Sequence, residues 1–259
     1  MSYSAYDPFT KKFYAAVVPG LFGASNEISV SFENKNSKQT QQVTLVRKGN
    51  VYESKETVSL NDFNPSQKVT FEINDAQKKL PTQKISTVVT YNKEYENYLT
   101  HRFSDELIVE GTPYTLQLSG KPVLSYKGND KWQYLASGGN YTQPVNVIIE
   151  RKGQPKPGQP IKAGEELHIK VQNSAYSGYE YLKLQDKYIH FDQKQNASTF
   201  KFNHAHSPGY LDYQREWHLQ SDGNKLGFST YDAGYISYGN DRETYGGRFE
   251  DKWSLVKAK

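Results

Sequence analysis

One order of elements recurs three times between residues 114 and 256, and no other feature narrows the fold as far. Each pass runs strand, turn, strand, turn, strand, and closes on a fourth strand. The leading strands are expected at 114–118, 167–171 and 216–219, the second at 123–126, 181–184 and 225–229, and the third at 131–135, 187–191 and 234–238. The closing strands are 147–149, 200–202 and 252–256. Leu167, Ile169 and Val171 alternate with His168 and Lys170, which is the period of a strand with one covered face. A unit this short cannot bury its apolar face alone, so the three must pack on one another. The turns rhyme too. Asp130-Lys131-Trp132, Asp186-Lys187-Tyr188 and Asp232-Ala233-Gly234-Tyr235 each put an Asp where backbone N–H groups need an acceptor, with an aromatic soon after. Uneven spacing between the passes reflects loop insertions. The plainest is the stiff, exposed Gln154-Pro155-Lys156-Pro157-Gly158-Gln159-Pro160.

The preceding 112 residues alternate without repeating. Ile28, Val30 and Phe32 share one face of a strand at 27–33, and further strands are expected at 42–46, 68–73, 84–89 and 106–109. A single helical turn at 75–80 would be stopped by Pro81. Short strands between turn signals, with clean alternation, describe an antiparallel sandwich. The chain has 259 residues, more than one domain usually holds, and Gly111-Thr112-Pro113 breaks the pattern within a junction at 101–115. The expected architecture is all-β: a sandwich over 1–112 and a threefold body over 113–259.

Two resemblances follow from these residues. Three four-strand units with rhyming turns resemble a β-trefoil of the fascin-like and ricin-B-like kind, most clearly in the run Leu219 to Ser229. Ricin-type lectins carry Gln-x-Trp near the end of each unit. Here those places read Arg215-Glu216-Trp217 and Asp251-Lys252-Trp253, so the ricin-type sugar site does not carry over as such. In the N-terminal part, Phe13 to Ser25, with Pro19-Gly20 ahead of the alternating strand from Glu27, resembles the opening of a macroglobulin domain of the α2-macroglobulin family, an immunoglobulin-type sandwich. That likeness implies an extracellular docking or structural domain. There is no Cys, so the thioester chemistry of that family is excluded, together with disulfides and thiolate zinc sites.

Charge excludes little else. The first 112 residues are balanced, and the excess of +4 lies in the remainder, dispersed among acids with no basic stripe for nucleic acid. No apolar run reaches a membrane span, and the N-terminus does not read as a signal peptide. The compartment stays open, with secretion favoured only if a signal has been removed and the cytoplasm otherwise. No Gly-x-Ser-x-Gly elbow and no phosphate loop occur, Glu165-Glu166 would face opposite sides of a strand, and His204-Ala205-His206 lacks further metal ligands nearby. A non-enzymatic protein without cofactor or metal is expected.

Binding fits better. Sugar recognition needs an aromatic face and a few hydroxyl-pairing side chains. The third unit offers Asp222, Asn224, Tyr231, Asp232, Tyr235, Tyr238 and Asn240. The first offers Asp130, Trp132 and Asn140, and the second Asp186, Tyr188 and Asn196. The ordinary alternative for each is a turn-capping Asp or a strand Tyr packed at the rim. The expected partner is a glycan or a protein surface. The rival roles are filament binding or matrix assembly of the fascin-like kind and, further off, receptor targeting by a toxin.

Overall fold

The computed structural model describes residues 3–16, 26–34, 37–59, 68–73, 83–88, 90–91, 93–102, 106–127, 131–136, 143–186, 188–205, 216–228, 236–239 and 251–259. It is all-β, with its strands in two sheets. The expected helical turn at 75–80 lies outside the described residues. Among those described, no helix is long and apolar enough to cross a membrane.

The first unit, Met1–Tyr95, holds β1 (Tyr3–Asp7), β2 (Lys12–Ala16), β3 (Glu27–Glu33), β4 (Thr40–Lys48), β5 (Val51–Ser54), β6 (Lys68–Ile73), β7 (Gln83–Val88) and β8 (Thr90–Tyr91). They form one sheet in the order β7-β6-β3-β4-β5-β2-β1-β8. The register sets Ile28 against Leu45 and Val30 against Val43, so apolar side chains meet across β3 and β4 on one face. All four are buried. The Phe13 ring stacks on Phe32 at 5.9 Å and takes the edge of Tyr6 at 5.5 Å, while the Tyr6 hydroxyl donates to the Val58 carbonyl. A buried phenol thus keeps its polar end satisfied while its ring fills the core.

The second unit, Glu96–Lys259, holds β9 (Pro113–Leu118), β10 (Lys121–Pro122), β11 (Leu124–Lys127), β12 (Gln133–Ala136), β13 (Asn146–Arg151), β14 (Leu167–Val171), β15 (Tyr181–Gln185), β16 (Tyr188–Asp192), β17 (Phe200–His204), β18 (Trp217–Ser221), β19 (Asn224–Phe228), β20 (Ile236–Gly239) and β21 (Trp253–Lys257). Six of these pair in a closed antiparallel ring, β9-β13-β14-β17-β18-β21 and back to β9. The other pairs form hairpins, β11 with β12, β15 with β16 and β19 with β20, and β16 joins all three by pairing with both β12 and β20. Leu116, Ile169, Phe202, Leu219, Trp217 and Trp253 are fully buried inside. The Trp253 indole N–H donates to the Leu226 carbonyl at 2.7 Å, tying the ring to the third hairpin.

The division falls between Tyr95 and Glu96, whereas the punctuation at Gly111-Thr112-Pro113 places it near 112. The reason is packing. Leu99 and Ile108 are fully buried in the core of the second unit, and their backbones bond to Ile161. The strand expected at 106–109 makes only isolated bridges, with Leu107 opposite Thr100 and Val109 opposite Pro160. Glu110 locks this strap in place. Its buried carboxylate meets the Arg151 guanidinium at 2.7 Å and accepts the backbone N–H of Arg151 and of Lys156. Burial works to raise its pKa, but these bonds and the Arg151 charge outweigh it and hold the carboxyl below the usual range. The proline-rich insertion is therefore exposed, as expected, yet held at its backbone.

Candidate functional site

Two of the candidate residues, Trp132 and Tyr188, pack around one histidine, and the charge of a third, Asp186, acts on it. The pairing of β12 with β16 sets Tyr134 opposite His190. Just before β12, Lys131 takes a left-handed backbone (φ 65°) and the chain delivers Trp132 onto the imidazole, with ring centroids 4.4 Å apart. Tyr134 and Tyr188 present their edges to the same imidazole at 6.2 and 6.0 Å. The result is an aromatic platform with a buried centre and an open top. His190 is 6% exposed, whereas Trp132 is 51% exposed and is one of two large hydrophobic side chains, among the described residues, that stand out in solvent.

The acid beside it has a local cause. Gln185 pairs with Tyr188, so the chain reverses tightly after Gln185, and Asp186 adopts φ 55°, the left-handed region that tight hairpin connections require. Asp186 is exposed and its charge acts on His190. Burial nevertheless dominates and holds the His190 pKa below its ordinary value. Lys183 adds to that, while Asp186, Asp192 and a hydrogen bond with the Gln133 backbone pull it back. The imidazole Nδ1 is buried without a hydrogen-bond partner among the described residues.

A loop at 172–180 walls one side. Buried Gln133 grips it from both ends of its amide, donating to Ser174 Oγ at 2.9 Å and accepting the Ala175 N–H at 2.9 Å. The loop then lays the Tyr176 ring under the Lys127 ammonium and the Tyr179 ring under that of Lys131, at 5.3 and 5.2 Å. His190, Gln133 and these two Tyr were not among the sequence candidates. The two Tyr carried a signal, since a loop in which six of nine residues are Asn, Ser, Tyr or Gly has the makeup of adaptable contact surfaces.

The remaining candidates divide. Asp222 and Asn224 belong to the β18–β19 turn, where Ser221 pairs with Asn224 and Asp222 and Gly223 take φ 50° and 77°. This is the turn-forming alternative weighed in the sequence, and it borders a polar depression of 330 Å³ with Lys152, Glu166 and Lys201, well supplied with its own ion pairs. Asn196 donates to Asp192 at 3.1 Å within a short 3-10 turn. Tyr238 has its backbone in β20, opposite Leu226, and its side chain lies outside the described residues. Asp130, Asn140, Tyr231, Asp232, Tyr235 and Asn240 also lie outside them. Of the histidine pair, His204 rests its ring against Trp217 at 5.2 Å, and His206 lies outside the described residues.

No family model matches this sequence, and no curated protein matches it. Among solved structures, the binding domain of Paraclostridial Mosquitocidal Protein 1 is similar with a TM-score of 0.50 and 12% identity, over 96% of this chain and 86% of that one. The botulinum neurotoxin serotype D binding domain is similar with a TM-score of 0.50 and 9% identity, over the same shares. The likeness is one of fold. Both of those domains are binding domains, and both extend over nearly all of the present chain.

Proposed function

We propose that this is a non-enzymatic binding protein whose second unit, a β-trefoil, captures a glycan through the Trp132 platform. The trefoil reading is supported by the six-strand ring with its three hairpins, in the order expected of three four-strand units. The first unit, a sandwich of the immunoglobulin or macroglobulin type, serves as docking or spacer domain. The observation that carries the binding reading is an indole half exposed over a buried imidazole, with the exposed Asp186 near enough for its charge to act on that imidazole. Exposure of so large an apolar ring is unfavourable unless a partner covers it, and an aromatic face beside a hydroxyl-pairing acid suits the C–H face and hydroxyls of a sugar. Two domains of like fold that are themselves binding domains agree with this role.

The test is a glycan array probed with the full chain, because a fragment starting at 113 would lack Leu99 and Ile108 of the core. Capture by the wild type, lost in Trp132→Ala and kept in Asp222→Ala, is the expected result. A silent array combined with co-sedimentation on filaments would replace the lectin reading with a structural one.

A further inference from the structure

Resting on that reading, we propose that His190 is a pH-sensitive prop for the platform: its protonation releases Trp132, so that the binding face is assembled at neutral pH and dismantled in acid.

The geometry leaves the imidazole a single comfortable state. Its ring is covered by Trp132 from above and edged by Tyr134 and Tyr188. Nδ1 is buried with no hydrogen-bond partner among the described residues, and the nearby Gln133 backbone favours the protonated ring only weakly against burial. A neutral ring can leave Nδ1 as an idle acceptor at modest cost. An imidazolium carries N–H on both nitrogens, and a buried charged donor without an acceptor is among the most unfavourable groups a fold can hold. The remedy for an imidazolium is water, and Trp132, half exposed itself with its ring 4.4 Å from the imidazole, is the cover that must move to admit it.

The groups facing His190 set the direction. From β15, Lys183 opposes protonation, although it is paired with Asp192 at 3.0 Å. From β16 and its turn, Asp192 and Asp186 favour it. Asp192 is already occupied by Lys183, Asn196 and the Gln193 N–H, which leaves Asp186 as the acid free to take a new donor. From β12 and β16 come the neutral phenols of Tyr134 and Tyr188, and Lys131 flanks Trp132 on its ring-to-Tyr179 contact. The side chains of β20, which pairs with Tyr188, lie outside the described residues. Burial lowers the pKa, so the change falls below the ordinary value of about 6.5.

The composition supplies a readout that needs no ligand. Of the 3 Trp, Trp217 and Trp253 are fully buried and Trp132 alone is exposed. Quenching of tryptophan emission by neutral acrylamide on the full chain therefore reports Trp132. Between pH 7.5 and 5 the quenching constant should rise about twofold as the indole leaves the imidazole, with a midpoint below about 6.5. The rise should vanish in His190→Phe, which keeps a ring and loses the titration, and the exposed component should vanish in Trp132→Phe. As a check that requires no variant, the Trp132 indole N–H resonance of the wild type should move with the same midpoint as the His190 ring protons. A quenching constant that stays flat, or two resonances with unrelated midpoints, overturns the proposal. Since neither measurement uses a glycan, a silent array at pH 7.5 beside an intact titration removes the binding reading alone, and a responsive array beside a flat titration removes the switch alone.

Discussion

The ring of the second unit and the rim of its hairpins both use tryptophan, to opposite ends. Inside the ring, Trp217 and Trp253 are 0% exposed and Trp253 is bonded to the Leu226 carbonyl; at the rim, Trp132 is 51% exposed and leans on a histidine. The interior residues are architecture, because each removes a large apolar area from water and fixes a strand pairing, Trp217 opposite Trp253. The rim residue leaves half of its surface in water and so removes far less apolar area on folding. In the sequence all three sit beside an acid or a Lys and look alike. What separates them is whether a second layer of side chains arrives to cover the ring.

The sharpest way to break this contrast is to empty the interior. Trp253→Ala should cost about 3–5 kcal/mol in chemical denaturation, since a buried ring and its hydrogen bond go together. A cost below that of a surface change would mean that the interior assignment is wrong. Next comes Glu110→Gln, which removes one of the two carboxylates on Arg151, Glu165 remaining at 2.8 Å, and leaves an amide that cannot accept both backbone N–H groups, and it should cost about 2 kcal/mol. Glycan capture per folded molecule should be unchanged, because the strap closes the ring and takes no part in the rim; a loss of capture at full folding would join the two regions.

Acid should separate them in sequence. His168, His190 and His204 all have pKa values held down by burial, so the unfolded chain binds more protons below about 6.5 and stability falls with pH from there down to the folded values. Glu110 has a lowered pKa, so its contribution is complete above the unfolded carboxylate range and is lost only as pH falls through the lower folded value. Thermal melting against pH should thus decline in two steps, the histidine step first, and His190→Phe should shrink only that first step. Smaller still, Asp222→Ala should cost about 1 kcal/mol, the strain of a left-handed backbone on Ala, with no effect on capture. Smallest for stability is Trp132→Ala, within about 0.5 kcal/mol, although capture should fall at least about tenfold.

Much of this contrast was open to a reader of the chain, and the part that was not has a definite cause. Strands with one covered face announce themselves: Leu167, Ile169 and Val171 are buried while His168 and Lys170 are not, as their alternation requires. The strands of the three passes lie within a residue or two of their expected places. Short or edge elements such as β5, β8 and β10 escaped notice, since two to four residues carry too little pattern. The boundary was misplaced because Gly111-Thr112-Pro113 marks a bend, and a bend says nothing about which core Leu99 and Ile108 will enter. At the site, the Asp turns were legible as turns, and Trp132 and Tyr188 as aromatics near them. His190 was not legible. Its neighbours Ile189 and Phe191 fill the core side, so alternation puts His190 towards solvent, and its cover comes from Trp132, a residue 58 positions earlier whose arrival depends on the pairing of β12 with β16.

Gln133 has a consequence of its own. It fastens the 172–180 segment by Ser174 and by a main-chain amide, while Tyr176 and Tyr179 project further along. The fastening and the display are thereby assigned to different positions. The side chains at 176 and 179 can therefore be exchanged without unmooring the loop that carries them, so the surface chemistry of this segment is free to vary on an unchanged scaffold.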